Sequence, residues 1–152
     1  MANERTPALR AHLPWRAVPG GARVLIVHDD PDMVAALRLP LQSAGYEVLD
    51  ASSSQEGLRK IQELAPHLII LDVTLETASD LQISLALRHP APQSPYAAYR
   101  HIPILVLTPS HTTASLRAGP DEAYLPVDDY VDLPIDPDVL LEKVCTLIGV
   151  GD

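Results

Sequence analysis

Apolar residues occur in short runs separated by amphipathic stretches. Arg23-Val24-Leu25-Ile26-Val27, residues 46–49, Leu68-Ile69-Ile70-Leu71, Ile104-Leu105-Val106-Leu107 and the pair Tyr130-Val131 read as five strands. The third and fourth are apolar at every position, as central parallel strands covered on both faces should be. Between the runs lie helical patterns. Asp30-Pro31 is an N-cap followed by proline at the first helical position, and Gly45 suits the end of that helix. Pro40 inside it predicts a kink. Ser54 caps a second helix ending near Leu64, before Pro66. A third helix is expected over about 80–88, a short fourth over about 113–117, and a last one from the Asp136-Pro137 cap to about Ile148. Residues 89–101, rich in Pro and Tyr, and residues 118–129 read as long loops.

Strands alternating with helices imply an α/β fold, a parallel sheet with helices on both faces. The ordered domain is expected over 22–152. Residues 1–21, punctuated by Pro7, Pro14, Pro19, Gly20 and Gly21, read as a flexible N-terminal extension, with Trp15 its one apolar anchor for a docking arm.

Composition narrows the function classes. The chain has 152 residues, 47% of them hydrophobic, but no Phe and one Trp, so the core must be aliphatic. The net charge of −9 disfavours a nucleic-acid backbone as main partner, and no direct DNA binding is expected. Cys145 is the only cysteine, which excludes an internal disulfide and predicts a buried, inert thiol. No run of about 18 apolar residues exists, so no membrane span is expected, and the expected compartment is cytoplasmic.

Ligands of open parallel sheets bind beyond the C-terminal strand ends. His28, Asp29 and Asp30 follow the first strand, Asp72 the third, Thr108 the fourth, and Asp132, Leu133 and Pro134 the fifth. If the first and third strands are neighbours, Asp29, Asp30 and Asp72 converge. Such carboxylates repel one another unless a hard divalent cation such as Mg²⁺ neutralises them. A carboxylate beside a cation and a hydroxyl suits phosphoryl transfer onto the carboxylate. Helix capping is the plainer role for strand-end Asp, and it suits Asp30 before Pro31 better than Asp72, which no obvious helix start follows.

These segments, in this order, resemble the response-regulator receiver domain of two-component signalling. The carrying stretches are Val24-Leu25-Ile26-Val27-His28-Asp29-Asp30-Pro31, Ala44-Gly45-Tyr46-Glu47-Val48, Pro66-His67-Leu68-Ile69-Ile70-Leu71-Asp72, Ile102-Pro103-Ile104-Leu105-Val106-Leu107-Thr108 and Asp129-Tyr130-Val131-Asp132-Leu133-Pro134. The resemblance covers about residues 22–149. It implies a flavodoxin-like, doubly wound five-stranded parallel sheet of order 2-1-3-4-5. Asp72 resembles the phosphoacceptor, Asp29 the metal-binding acid, Thr74 the residue offering its backbone carbonyl to Mg²⁺, Thr108 the hydroxyl that tracks the phosphoryl group, and Tyr130 the switch aromatic. The implied partners are a histidine kinase or phosphotransfer protein, a downstream protein, and a second copy through the face of the fourth helix, fifth strand and fifth helix.

The departures are specific. His28 stands where the family has its first acid, and Leu133 where it has a lysine. Only two lysines exist, Lys60 and Lys143, and neither is placed to replace it. Leu75-Glu76 and Ser79-Asp80 replace the family's turn after the acceptor, and Pro109 follows Thr108 where a small residue is usual. Strand alternation should turn Asp132 away from the pocket. His28 could ligate Mn²⁺ or Zn²⁺, but a single imidazole favours a plain pocket-edge role; His111 is weighed the same way. Asp121, Glu122, Asp128, Asp129 and Asp132 read as a solvated acidic loop rather than a cation site.

The expected function is a receiver-domain signalling protein acting through protein contacts, not an enzyme beyond self-phosphorylation, with Asp72 as candidate phosphoacceptor. The alternative is a phosphorylation-independent pseudo-receiver, favoured by Leu133 and His28. An Asp-nucleophile phosphatase is a remote reading, since it needs an acid where Thr74 stands. An FMN carrier conflicts with Asp29, Asp30 and Asp32, which would repel the cofactor's phosphate. No helix-turn-helix is legible, and the chain is either a stand-alone receiver or a piece of something larger.

Overall fold

A computed structural model describes residues 21–74, 83–109 and 127–148. The elements are β1 (Arg23–Val27), α1 (Pro31–Ser43), β2 (Glu47–Ala51), α2 (Ser54–Leu64), β3 (Leu68–Asp72), α3 (Ile83–Arg88), a 3-10 helix (Pro95–Tyr99), β4 (Ile104–Pro109), β5 (Asp129–Leu133) and α4 (Pro137–Ile148). Residues 1–20 of the expected extension, the predicted helix at 113–117, His111, Asp121 and Glu122 lie outside the described residues.

All strand pairs are parallel, and their order is β2-β1-β3-β4-β5. Alternate residues of each strand feed two cores. Leu25, Val27, Ile69, Leu71, Ile104, Val106 and Tyr130 meet Leu58 and Ile61 of α2 and Ile83 and Leu87 of α3. Val24, Ile26, Leu68, Ile70, Leu105, Leu107 and Val131 meet Leu37 and Leu41 of α1 and Leu140 and Val144 of α4. The sheet is thus covered on both faces, which is why its central strands carry no polar alternation. Cys145 is buried, and burial pushes its thiol pKa up, which disfavours the reactive thiolate.

The helix ends follow local chemistry. Asp30 caps α1 by accepting from the Asp32 N–H at 3.0 Å, and Gly45 follows with φ of +100°. The helix continues through Pro40 to Ser43. The second helix is capped by Ser53, not Ser54: the Ser53 hydroxyl accepts from the Glu56 N–H at 3.1 Å, while Glu56 accepts from the Ser52 N–H at 2.9 Å. At its other end Arg23 donates to the carbonyls of Leu64 (2.8 Å) and Ala65 (3.0 Å), which lack helical partners.

His67 Nδ1 accepts from the Arg23 N–H at 2.9 Å. Burial, with Arg23 adding to it, holds the His67 pKa below the ordinary histidine value. The unfolded chain therefore binds this proton more readily than the folded one. The contribution is complete above the ordinary value and is lost as pH falls through it toward the lowered folded value. Urea melts should show wild type losing stability from pH 7.5 to 5.5, and His67→Gln, which keeps a side-chain acceptor without titrating, losing less. Equal losses would refute this.

The 89–101 segment is not structureless. The 3-10 helix lies within it, started by the Ser94 hydroxyl accepting from the Tyr96 N–H at 3.1 Å. Arg88 staples the far end, donating to the carbonyls of Arg100 (2.8 Å) and Ile102 (2.9 Å) and to Asp128 Oδ2 (2.5 Å). Asp128 Oδ2 also accepts from the Ile104 N–H at 2.7 Å, fixing the start of β4. Asp128, exposed in the bend before β5, is thus also a structural anchor, and Asp129 likewise accepts from its neighbour's N–H and from Lys143. Arg88→Ala leaves Asp128 half-paired and is expected to cost about 2 kcal/mol, on the scale of hydrogen bonds to charged groups. Denaturant titration checks it; a loss under about 0.5 kcal/mol, the range of ordinary surface changes, would contradict it.

Candidate functional site at the strand ends

The pairing that puts β1 beside β3 brings their C-terminal ends together. Strand parity then decides which side chains share a face. His28 continues the row of Val24 and Ile26, and Asp72 the row of Leu68 and Ile70, so both fall on the α1 side of the sheet. One ligand atom each from His28, Asp29 and Asp72 lie within 4.8 Å of one another.

His28 Nε2 faces Asp72 Oδ2 at 3.8 Å, and Nδ1 lies 3.6 Å from Asp29 Oδ1. The His28 side chain is 9% exposed and that of Asp72 13%, whereas Asp29 is 65% exposed. The ring is held from behind: His28 Nδ1 accepts from the Asp30 N–H at 3.1 Å, and the His28 N–H donates to the Ala51 carbonyl at 2.9 Å. A cleft of about 500 Å³ opens beside it, running from His28 and Asp29 across Val34 to Arg38 and Asp50. Asp30 points away into its capping role, so the third acid of the expected cluster is absent from the convergence.

Asp72 also caps a helix, contrary to expectation. Val73 and Thr74 are helical, and the Thr74 N–H donates to Asp72 Oδ1 at 3.3 Å. The carboxylate thus has one oxygen turned to the backbone and the other to the pocket. The segment with Leu75, Glu76, Ser79 and Asp80 lies outside the described residues.

Thr108 is fully buried and paired in register with Asp132, one residue beyond the Leu107 that pairs with Asp72. Tyr130 is buried with Val106 in the core beneath α2 and α3. Asp132 is exposed. Leu133, joined to Pro134 by a cis peptide bond, packs against the core formed with α1 and α4.

The cations are engaged elsewhere. Lys60 Nζ donates to the Asp50 carbonyl at 2.5 Å and lies 3.5 Å from Glu56. Lys143 Nζ donates to the Tyr130 carbonyl at 2.5 Å and lies 3.4 Å from Asp129. Arg38 pairs with Asp50. Among the described residues, no Lys or Arg bonds Asp72. The lysine contacts join parts of the chain that sequence reading left unconnected. A lysine 13 residues beyond Tyr130, on the helix after its strand, was the one signal for the Lys143 contact.

Residues 24–145 match the family model for the response regulator receiver domain. This chain belongs to the response regulator receiver family. It is 32% identical over 122 residues to the transcriptional regulatory protein PrrA of Mycobacterium tuberculosis, covering 80% of this chain and 46% of that protein. It is 28% identical over 122 residues to the DNA-binding response regulator MtrA of Mycolicibacterium smegmatis, covering 80% and 48%. The receiver chain thus spans about half the length of these relatives. Among solved structures it resembles the chemotaxis response regulator CheY4 of Vibrio cholerae, with a TM-score of 0.65, 27% identity, and 84% and 98% of the two chains covered. A CheY-like receiver domain protein from Methanospirillum hungatei gives a TM-score of 0.62 at 26% identity, with 85% and 94% covered. The expected fold and strand order hold. Receiver domains are signalling modules of two-component systems, and they typically bind Mg²⁺ at an acidic site. No described helix is long and apolar enough to cross a membrane.

Proposed function

We propose that this receiver acts through protein–protein contacts and takes a phosphoryl group on Asp72. The observation that supports it is the placement of Asp72, a largely buried carboxylate ending the central strand with His28 and Asp29 converging on it. A carboxylate oxygen of Asp72 is the nucleophile. It attacks phosphorus in line, the bond to the donor's leaving group breaks, and that group departs with the electron pair. Thr108 is assigned as the hydroxyl that follows the phosphoryl group, and Tyr130 as the aromatic that responds to it.

The donor set fits a divalent cation, since two carboxylates converge with no Lys or Arg to offset them among the described residues. Asp29, Asp72 and the Thr74 carbonyl are the proposed Mg²⁺ ligands; when bound, the ion offsets negative charge on the phosphoryl oxygens. A histidine kinase or phosphotransfer protein is the proposed donor. A downstream protein, or a second copy of the chain, is the proposed partner at the face that includes β5 and α4. The proposed compartment is the cytoplasm, and direct DNA contact is no part of this reading.

A second reading, the phosphorylation-independent pseudo-receiver, is favoured by one observation: the residue in the lysine position, Leu133, is committed to the apolar core. Incubation with acetyl phosphate and weighing of the intact protein separates the two. The first reading predicts a single phosphoryl adduct that requires Mg²⁺ and is absent from Asp72→Asn. No adduct under conditions that label an ordinary receiver would leave the second.

A further inference from the structure

We infer that the pocket's preferred ion is a first-row transition cation of the Zn²⁺ class, held by a His28 nitrogen together with the Asp29 and Asp72 carboxylates. The inference rests on the same pocket as the phosphoacceptor reading but concerns its ion and not the transfer step. An all-oxygen site suits Mg²⁺, which demands hard ligands. Here the most buried of the three converging groups is an imidazole, a donor that suits zinc and its neighbours.

The geometry is close to that of a bound ion. Zinc bonds of about 2.0–2.1 Å set ligand atoms roughly 3.3 Å apart in a tetrahedron. His28 Nε2 and Asp72 Oδ2 stand 3.8 Å apart, so a contraction of about half an ångström closes the pair. Asp29 is mostly exposed and turns without displacing core. His28 is buried, fixed through its backbone to Ala51, and aims Nε2 into the pocket beyond hydrogen-bonding distance of Asp72.

His28 Nδ1 is held by the Asp30 N–H, which leaves Nε2 as the ring nitrogen that faces Asp72. An ion at Nε2 moves the ring proton to Nδ1, which costs the Asp30 hydrogen bond. The Asp29 carboxylate and water complete the set.

The test is calorimetric titration of the full chain with ZnCl₂ and, separately, MgCl₂, in wild type, His28→Asp and His28→Gln. Zinc binds tighter than magnesium at most nitrogen and oxygen sites, so the ratio of the two affinities is compared between variants rather than its absolute value. His28→Asp, which rebuilds an all-oxygen pocket, is expected to lower the zinc-to-magnesium ratio by at least about tenfold and to tighten Mg²⁺. His28→Gln is expected to lose zinc with no gain of magnesium. In wild type the His28 ring resonances shift on zinc addition. A ratio unchanged in both variants, or zinc binding that leaves the His28 ring signals unmoved, overturns the inference and marks the zinc as held by other histidines. Zinc bound through His28 in a chain that takes no phosphoryl adduct leaves this inference standing and overturns the acceptor reading alone.

Discussion

Leu133→Lys is expected to speed phosphoryl transfer from acetyl phosphate to Asp72 by about 10²–10³-fold, the scale on which a preorganised charge-stabilising donor acts. Among the described residues, no Lys or Arg bonds the pocket's Asp72. Lys60, Lys143 and Arg38 are each tied to other partners, and nothing among the described residues supplies their charge to Asp72. Leu133 pairs in register with Pro109, just beyond the Thr108–Asp132 pair, and its side chain joins the same sheet face as Asp72. A lysine there keeps much of the apolar contact through its stem while its ammonium reaches out at the sheet's end. A time course of adduct formation by intact mass checks the rate. An unchanged rate in a folded variant would show that the missing cation does not limit transfer.

Ile70→Ala is expected to destabilise the fold by about 2–5 kcal/mol, the range for a buried branched aliphatic truncated to alanine. Ile70 is fully buried at the centre of β3, two residues before Asp72, and faces the core of α1 and α4. The cluster around it is built mainly of Leu, Ile and Val, with Tyr46 the aromatic among its buried members. Typical domains hold only about 5–15 kcal/mol in reserve. Urea unfolding gives the difference directly. A loss below about 1 kcal/mol would mean that the site collapses around the gap.

The central strands were legible because burial on both faces makes them uniformly apolar. The edge strand β5 was half-legible: the adjacent pair Tyr130-Val131 marked it, yet pairing runs from Asp129 to Leu133. The Asp72 cap was missed because Val73 and Thr74 are poor helix signals, and the hydrogen bond that makes the cap is a property of geometry. The staple through Arg88 was invisible for another reason. Its partners lie 12, 14 and 40 residues away, beyond any local pattern. Asp29, Asp72 and Thr108 were named in sequence by their places at strand ends, and Thr74 and Tyr130 through the family resemblance, but their relations were not. That Asp30 withdraws into capping while His28 turns toward Asp72 follows from strand parity combined with the neighbour relation of β1 and β3, and only the second of these needed the fold.

The most direct measurement of the central claim is the location of the phosphoryl group. Protein treated with acetyl phosphate and Mg²⁺ is reduced with borohydride, which converts an aspartyl phosphate to homoserine, and the peptides are mapped by mass. Homoserine at position 72 and nowhere else is the predicted result. An unreduced Asp72, or homoserine at another aspartate, would contradict it.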